Sequence, residues 1–440
     1  MKPTILARAI ALTLCSTSML ALPSPATASE ADLMLRLDKL AAELDLVKAE
    51  LAASRQAATI AQPPAALQPV ATQPQQQPQQ RQAQNEPARE PQTVLSGYGE
   101  VNYNRPSKNA SEAQTDVRRA VIGIAHRFDA KTKLVTEFEW EHAVTSADDK
   151  GESAVEQLYV EREFDNGLRA KAGLFLMPAG MLNINHEPTT FYGVERNFVE
   201  TAIIPSTWRE AGLGLSSTLD NGLTWDLGLT TGFDLSKWNA ASSDGRESPL
   251  ASIHQEGQLA KSRKLSAHAA LNWRGVPGLL LGGYVFTGQV SHDKANVVAA
   301  DARVTLWDLH ARYTPGKWDL AALYARATIS HAGALNVLSA GNPTPIPSAF
   351  DGWYLQAAYQ AWKSSDFALM PFVRYEQFNT ARSYAALPPG LGVATGPTEK
   401  VSTAGANLRV GEGVVLKADY QKFEADRSRD RLNLGMGYAF

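Results

Sequence analysis

The sequence predicts an all-β protein: a sixteen-stranded antiparallel transmembrane β-barrel preceded by a short N-terminal coiled-coil helix. Three observations predict this fold. Apolar and polar residues alternate along many short segments, the connections between these segments are alternately short and long, and the last segment ends on an aromatic residue.

Residues 1–28 have the pattern of an export signal. Lys2 and Arg8 give a positive start, an apolar segment follows, and a cleavage site of small residues ends at Ala28. The single cysteine, Cys15, lies inside this signal peptide, so the mature chain would have no disulfide and no Cys-ligated metal. The formal net charge of −3 excludes a strongly basic protein that binds nucleic acid.

Residues 30–53 are predicted to form a coiled-coil helix, because their apolar residues recur at spacings of three and four. These apolar residues are Leu33, Leu37, Leu40, Leu44, Val47 and Leu51. The alternative is a single amphipathic helix that packs on its own domain. Residues 54–93 are rich in Ala, Gln and Pro, which predicts an extended linker.

Residues 94–440 are predicted to form the barrel. In the closing segment, Leu432, Leu434, Met436, Tyr438 and Phe440 alternate with small or polar residues. Sixteen such strands are predicted to begin near residues 95, 117, 132, 154, 167, 207, 222, 263, 278, 303, 317, 352, 367, 399, 413 and 431. We expect the terminal Phe440 to be the signal that the barrel-assembly machinery recognises.

The connections favour a barrel over a soluble sandwich. Short turns such as Asp165-Asn166-Gly167 follow the even-numbered strands, and longer connections follow the odd-numbered ones. Outer-membrane barrels sort their connections by side in this way, whereas a sandwich has no reason to do so. Sixteen strands would enclose a water-filled channel rather than a packed core.

Eight basic residues are predicted to face the lumen: Arg119, Arg127, Arg169, Lys171, Arg312, Arg326, Arg374 and Arg409. The first four flank acids on the third and fourth strands, which they are expected to neutralise. The last four meet fewer acids, which predicts a basic strip that attracts anions in a confined pore. The alternative is that these arginines only support the packing of wall and loops.

The longest early connection, residues 177–206, is expected to fold into the barrel and narrow the channel. Its candidate constriction residues are His186, Glu195, Arg196 and Glu200. The alternative is a surface loop that lies outside the lumen.

The chain resembles the phosphate-selective porin O and P family over roughly residues 94–440. The resemblance is carried by Gly97-Tyr98-Gly99-Glu100, Arg118-Arg119-Ala120, Glu195-Arg196-Asn197-Phe198, Trp208-Arg209-Glu210-Ala211-Gly212-Leu213-Gly214 and Pro371-Phe372-Val373-Arg374-Tyr375-Glu376. It implies a homotrimer in the Gram-negative outer membrane, embedded in outer-membrane lipids, and passive diffusion of small hydrophilic solutes. Coiled-coil-bearing members of the DcaP type are attributed to uptake of small anions such as dicarboxylates.

The third loop departs from the phosphate-specific members of that family, which have a dense ladder of arginines and a lysine cluster. Here the loop has one arginine, Arg196, and no run of lysines. This departure favours a less selective channel for anions such as phosphate or dicarboxylates. A general or sugar porin without selectivity is the alternative.

Two rival functions come from other classes. An outer-membrane enzyme would need paired Ser/His or Asp/His groups, but the eight histidines are scattered without such a motif. The same scatter, with no phosphate-binding glycine loop, predicts no metal site and no cofactor. A periplasmic tether built from the coiled coil and linker is the other rival.

Overall fold

The computed structural model describes residues 92–292, 299–385 and 396–440, which form one antiparallel barrel. Its strands, β1 to β16 in chain order, are Thr93–Pro106, Gln114–Arg127, Thr132–Glu141, Glu152–Glu163, Arg169–Leu176, Arg209–Thr218, Leu223–Thr230, Ser266–Trp273, Leu279–Gln289, Arg303–Tyr313, Trp318–Ser330, Pro347–Tyr359, Phe367–Tyr384, Glu399–Val410, Val414–Phe423 and Arg431–Ala439. A two-residue strand, Trp362–Lys363, extends β12 after a short break and pairs with β13 as well. The signal peptide, the coiled-coil helix and nearly all of the linker lie outside the described residues.

Each strand pairs with its neighbours along the chain, and β1 also pairs with β16 from Tyr98↔Ala439 to Pro106↔Arg431. This last pairing closes the sheet. Closure leaves no row of unpaired backbone groups at an edge, which a sheet in lipid could not satisfy. The predicted sixteen-stranded antiparallel barrel is therefore confirmed.

Fifteen of the sixteen predicted strand starts lie within three residues of the observed ones. The exception is β12, which begins at Pro347, five residues before its predicted start. The pairing of β12 with β13 shifts register between Pro347 and Asp351, where the side chains do not alternate regularly. A prediction that depends on alternation misses this part of the strand.

The connections are sorted by side, as predicted. At the short-turn end, Gly167 and Gly222 have φ values of +74° and +82°, which glycine adopts without strain. The long connections contain the short helices. In the described ranges these are α1 (Asp244–Glu247), α2 (Gly333–Leu338), single-turn 3₁₀ helices at Ala110–Glu112, Leu235–Lys237, Ala251–Ile253 and Arg427–Arg429, and a π-helical turn at Val199–Ile203. None of the helices in the described ranges is long and apolar enough to cross a membrane.

The two faces of the wall differ in chemistry. On β15, Leu416 and Tyr420 face outward and are 44% and 42% exposed, whereas Lys417, Asp419 and Gln421 face inward and are buried. Other strands repeat this pattern with outward leucines. A continuous apolar outer surface is the surface that lipid requires.

The closing strand packs two aromatic rings onto glycines of β1. Phe440 exchanges two backbone hydrogen bonds with Gly97, at 3.1 and 2.9 Å, and its ring stacks on that of Tyr438. A Cβ added at Gly97 would lie 2.9 Å from the Phe440 ring, and one added at Gly99 would lie 2.8 Å from the Tyr438 hydroxyl. The glycines therefore leave the space that these rings fill, as in the aromatic rescue of glycine in sheets.

We predict that Gly97→Val weakens closure of the barrel. The new side chain must displace the Phe440 ring, and overpacking of this kind costs about 1–3 kcal/mol. The measurement is the urea midpoint for unfolding of the refolded barrel. Leu95→Val, a conservative change at an exposed position of the same strand, is the control. A Gly97→Val midpoint equal to that of the control would contradict the prediction.

Candidate functional site

The third long loop, residues 177–208, lies inside the barrel and crosses it to the far wall. The Val194 N–H donates to Asp419 on β15 at 2.6 Å, and the Phe198 N–H donates to Glu376 on β13 at 2.7 Å. The Gly180 N–H donates to Asp308 on β10 at 2.8 Å. Because the loop backbone bonds to carboxylates of three strands, the lumen is narrowed by a fixed segment.

Glu200 joins the two halves of this loop to the wall. Its buried carboxylate accepts hydrogen bonds from the backbone N–H groups of Met181 and Leu182, both at 2.7 Å. It also accepts one from the Tyr354 hydroxyl on β12 at 2.8 Å and one from Asn197 at 3.1 Å. The geometry gives Glu200 the role of an anchor for the loop, with its oxygens already occupied.

The other candidate constriction residues also bond mainly to the loop itself and to the barrel wall. The buried Arg196 donates to the His186 carbonyl at 3.0 Å and to the Thr207 hydroxyl at 2.9 Å. His186 is buried, with Nε2 2.7 Å from the Tyr98 hydroxyl. Glu195 lines a cavity at the long-loop end, where Asn104 donates to it at 3.1 Å.

Several predicted lumen-facing bases are bound to carboxylates. Arg119 is buried and bonds Glu100, Glu139 and Glu141 at 3.0, 2.8 and 3.1 Å. Arg119 therefore contacts acids on the flanking strands, but its one positive charge is formally outnumbered by three carboxylates. Arg127 lies exposed at the short-turn end of β2.

The neighbouring acids find different partners from those expected. Lys171 bonds Asp226 on β7 at 3.2 Å and lies over the Phe175 ring. Glu161 instead bonds Lys133 at 2.9 Å. Sequence patterns give the facing residues but not which of several neighbours a long lysine side chain selects.

Arg326 was predicted to face the lumen, and this prediction is wrong. Its neighbours Ala325 and Ala327 face inward and are fully buried, while Arg326 points outward and bonds Asp351 at 3.0 Å. Arg382 binds the same carboxylate. Apolar residues occur on both faces of β11, so its alternation did not reveal which face points inward.

The predicted basic strip on the far wall does not have the expected excess of charge. Arg312 makes two hydrogen bonds to Asp319, at 2.8 and 2.6 Å, and the buried Arg374 bonds Glu376 at 3.0 Å. Arg409 is exposed at the short-turn end of β14. Two of the four predicted arginines are therefore neutralised, and Arg326 lies outside the lumen.

A cavity of about 610 Å³ opens on the short-turn side of the third loop. Its charged lining residues are Arg169, Arg274, Arg312 and a single acid, Asp226. Within the described part of the chain, no carboxylate forms a salt bridge with Arg169 or Arg274. Beside the loop, the space narrows to a pocket of about 40 Å³ that Arg312 and Arg374 help to line.

Arg274 was missed as a site residue by the sequence analysis. It lies two residues after Asn272, so strand alternation places both on the inward face. Asn272 bonds His310 on the lumen wall at 2.9 Å. A signal was present, because Arg274 continues the alternation of β8 and directly precedes a Gly-Val-Pro-Gly turn. Arg274 lies one residue beyond the end of β8, at the rim of the barrel, and not within a strand.

We predict that Glu200→Gln loosens the loop. Two donors bond each carboxylate oxygen, so the amide, which has one acceptor oxygen, leaves one of the two donor pairs facing an NH₂ group, at a cost of about 1–3 kcal/mol. The measurement is current noise in single-channel recordings, which should rise. Tyr354→Phe removes one of the same bonds and should produce a smaller rise. Noise equal to wild type in Glu200→Gln would contradict the anchoring role.

Known proteins resemble this chain in sequence and in fold. An uncharacterized protein of Aquifex aeolicus (strain VF5) is 27% identical over 345 residues, covering 76% of this chain and 77% of that protein. Salmonella typhi OmpF is 14% identical, with a TM-score of 0.56 over 79% of this chain and 97% of that one. The outer membrane channel DcaP of Acinetobacter baumannii is 12% identical, with a TM-score of 0.48 over 79% and 97% of the two chains.

The family model for phosphate-selective porin O and P matches residues 92–434, which is nearly the whole barrel. The match agrees with the closed sixteen-stranded sheet, the apolar outer face and the polar lumen. The chain therefore belongs to the phosphate-selective porin O and P family and is an outer-membrane porin, a channel rather than an enzyme.

Proposed function

We propose that this porin passes small hydrophilic anions by passive diffusion, with a modest preference for them over cations. The observation that carries the proposal is the pair Arg169 and Arg274, which line the short-turn cavity and form no salt bridge among the described residues. Unpaired charge of one sign in a confined, low-dielectric pore raises the local concentration of counter-ions. Phosphate and dicarboxylates are the solute class that this charge favours.

The preference should be modest, because most other bases of the lumen are neutralised. Arg119, Arg312 and Arg374 are each held by carboxylates. The one arginine of the third loop, Arg196, is buried and donates to neighbouring oxygens. Such an arrangement lacks the dense series of free cations that would strip water from a phosphate and bind it tightly.

We predict that the double change Arg169→Ala and Arg274→Ala lowers the ratio of chloride to potassium permeability by about half, because it removes the uncompensated charge of the cavity. The measurement is the reversal potential across a planar bilayer under a KCl gradient. Arg162→Ala is the matched control, since Arg162 lies on β4 near the same end of the barrel and its side chain is half exposed.

An equal loss of selectivity in the Arg162→Ala control would contradict the role of the cavity. A wild-type ratio near one, unchanged in the double variant, would support the alternative of a general or sugar porin without selectivity.

The assembly around the channel is also proposed. The family resemblance supports a homotrimer, and the heptads of residues 30–53 support a coiled coil that helps to hold it together in the periplasm. Three heptads are marginal alone but can act where the barrels already raise the local concentration. The start of β1, the end of β16 and the short turns would then all face the periplasm. The barrel-assembly machinery would recognise Phe440.

We predict that deletion of residues 30–93 weakens the trimer while the conductance of each barrel stays the same. The measurements are native mass spectrometry of the purified porin and single-channel recording of both proteins. A changed conductance per barrel would contradict the proposal, since the segment would then act within the channel.

A further inference from the structure

Two glutamates and a histidine converge where the third loop meets the wall. Glu137 on β3, Glu156 on β4 and His186 on the loop each present one ligand atom within 4.8 Å of the others. Glu156 and His186 are buried, and Glu137 is partly so. The three residues come from separate segments, which is why their spacing in the sequence indicated no metal site.

The hydrogen bonds of His186 orient its ring in the way that metal-binding histidines need. Nδ1 lies 2.9 Å from the Asn183 carbonyl oxygen, which can only accept, so Nδ1 carries a hydrogen. Nε2 lies 2.7 Å from the Tyr98 oxygen and 3.8 Å from Glu156 Oε2. Because the Tyr98 hydroxyl gives its one hydrogen to Glu156, Nε2 carries a hydrogen that a bound metal ion would replace. A histidine ligand commonly donates its other ring N–H to a backbone carbonyl in this manner.

Glu156 provides an independent observation. Its side chain is fully buried, Oε2 accepts from the Tyr98 hydroxyl at 3.0 Å, and Oε1 has no hydrogen-bond partner in the part of the chain that is described. A buried carboxylate oxygen without a partner is costly, and such atoms call for an explanation such as a bound ion.

The local charge balance points the same way. Arg119 is the cation that bonds Glu100, Glu139 and Glu141 of this wall. Gln157 donates to Glu137 at 2.6 Å and Tyr98 donates to Glu156, which also lies 3.8 Å from His186 and within hydrogen-bonding reach of Glu139. Two carboxylates close together in a poorly hydrated place are stabilised by a cation between them.

We propose that Glu137, Glu156 and His186 bind a divalent transition-metal ion, for which Zn²⁺ is the probe. One imidazole and two carboxylates suit a borderline ion, whereas Ca²⁺ takes six to eight oxygen ligands and Mg²⁺ prefers carboxylates and water. A bound ion would join the third loop to β3 and β4, on the wall opposite the carboxylates that anchor its backbone.

The test uses the full-length porin, purified with a tag that lacks histidine and treated with a chelator. Isothermal titration with ZnCl₂ should show one saturable site per chain. Glu156→Gln keeps the volume and an oxygen that Tyr98 can reach, and should weaken Zn²⁺ binding at least about tenfold. His186→Asn should do the same. If it fails to fold, Glu137→Gln, a change at a less buried position, takes its place.

Glu163→Gln and His331→Asn are matched controls on exposed residues and should bind Zn²⁺ as the wild type does. Absence of saturable binding, or binding unchanged in the ligand variants, would overturn the proposal. So would a Glu156→Gln variant that is more stable than wild type at every Zn²⁺ concentration, since the glutamates would then be sharing a proton. These residues are distinct from Arg169 and Arg274, so the titration can fail while the anion preference stands.

Discussion

Lipid offers no hydrogen bonds to a protein backbone, so every strand of this wall has to be paired on both sides. The pairing of β1 with β16 meets that requirement for the last two open edges. Once the sheet is closed, alternate side chains point to lipid or to water, and each polar residue on an inward position shares one confined lumen. Which polar side chains lie in the lumen therefore follows from the requirement that every strand be paired.

Charged groups that are buried between the third loop and the barrel wall are poorly hydrated and need partners nearby. Arg119 on β2 bonds three glutamates, and on β10, β13 and β15 the acids Asp308, Glu376 and Asp419 accept hydrogen bonds from the backbone of the third loop. The acids of the wall and the inward position of the loop are therefore mutually dependent. At the short-turn end, Arg169 and Arg274 form no salt bridge among the described residues, and the proposed preference for anions rests on them.

Much of this was predictable from the sequence, because strand alternation and turn chemistry are local properties. The closing segment up to Phe440 and the sorted connections indicated the barrel and its strand number. Arg326 was predicted on the wrong face because β11 has apolar residues on both faces, so its sequence does not show which face points inward. The partners of Lys171, and the meeting of Glu137 with His186, depend on register and on the path of the loop, which local patterns do not contain.

The central claim is that a small surplus of positive charge in the lumen makes this porin favour anions. The most direct measurement is the zero-current potential of the wild-type porin at a fixed KCl ratio, repeated at rising total salt. The account predicts an anion preference that shrinks with salt, since the Debye length falls from about 10 Å at 0.1 M to about 3 Å at 1 M. A preference for cations at low salt would contradict it.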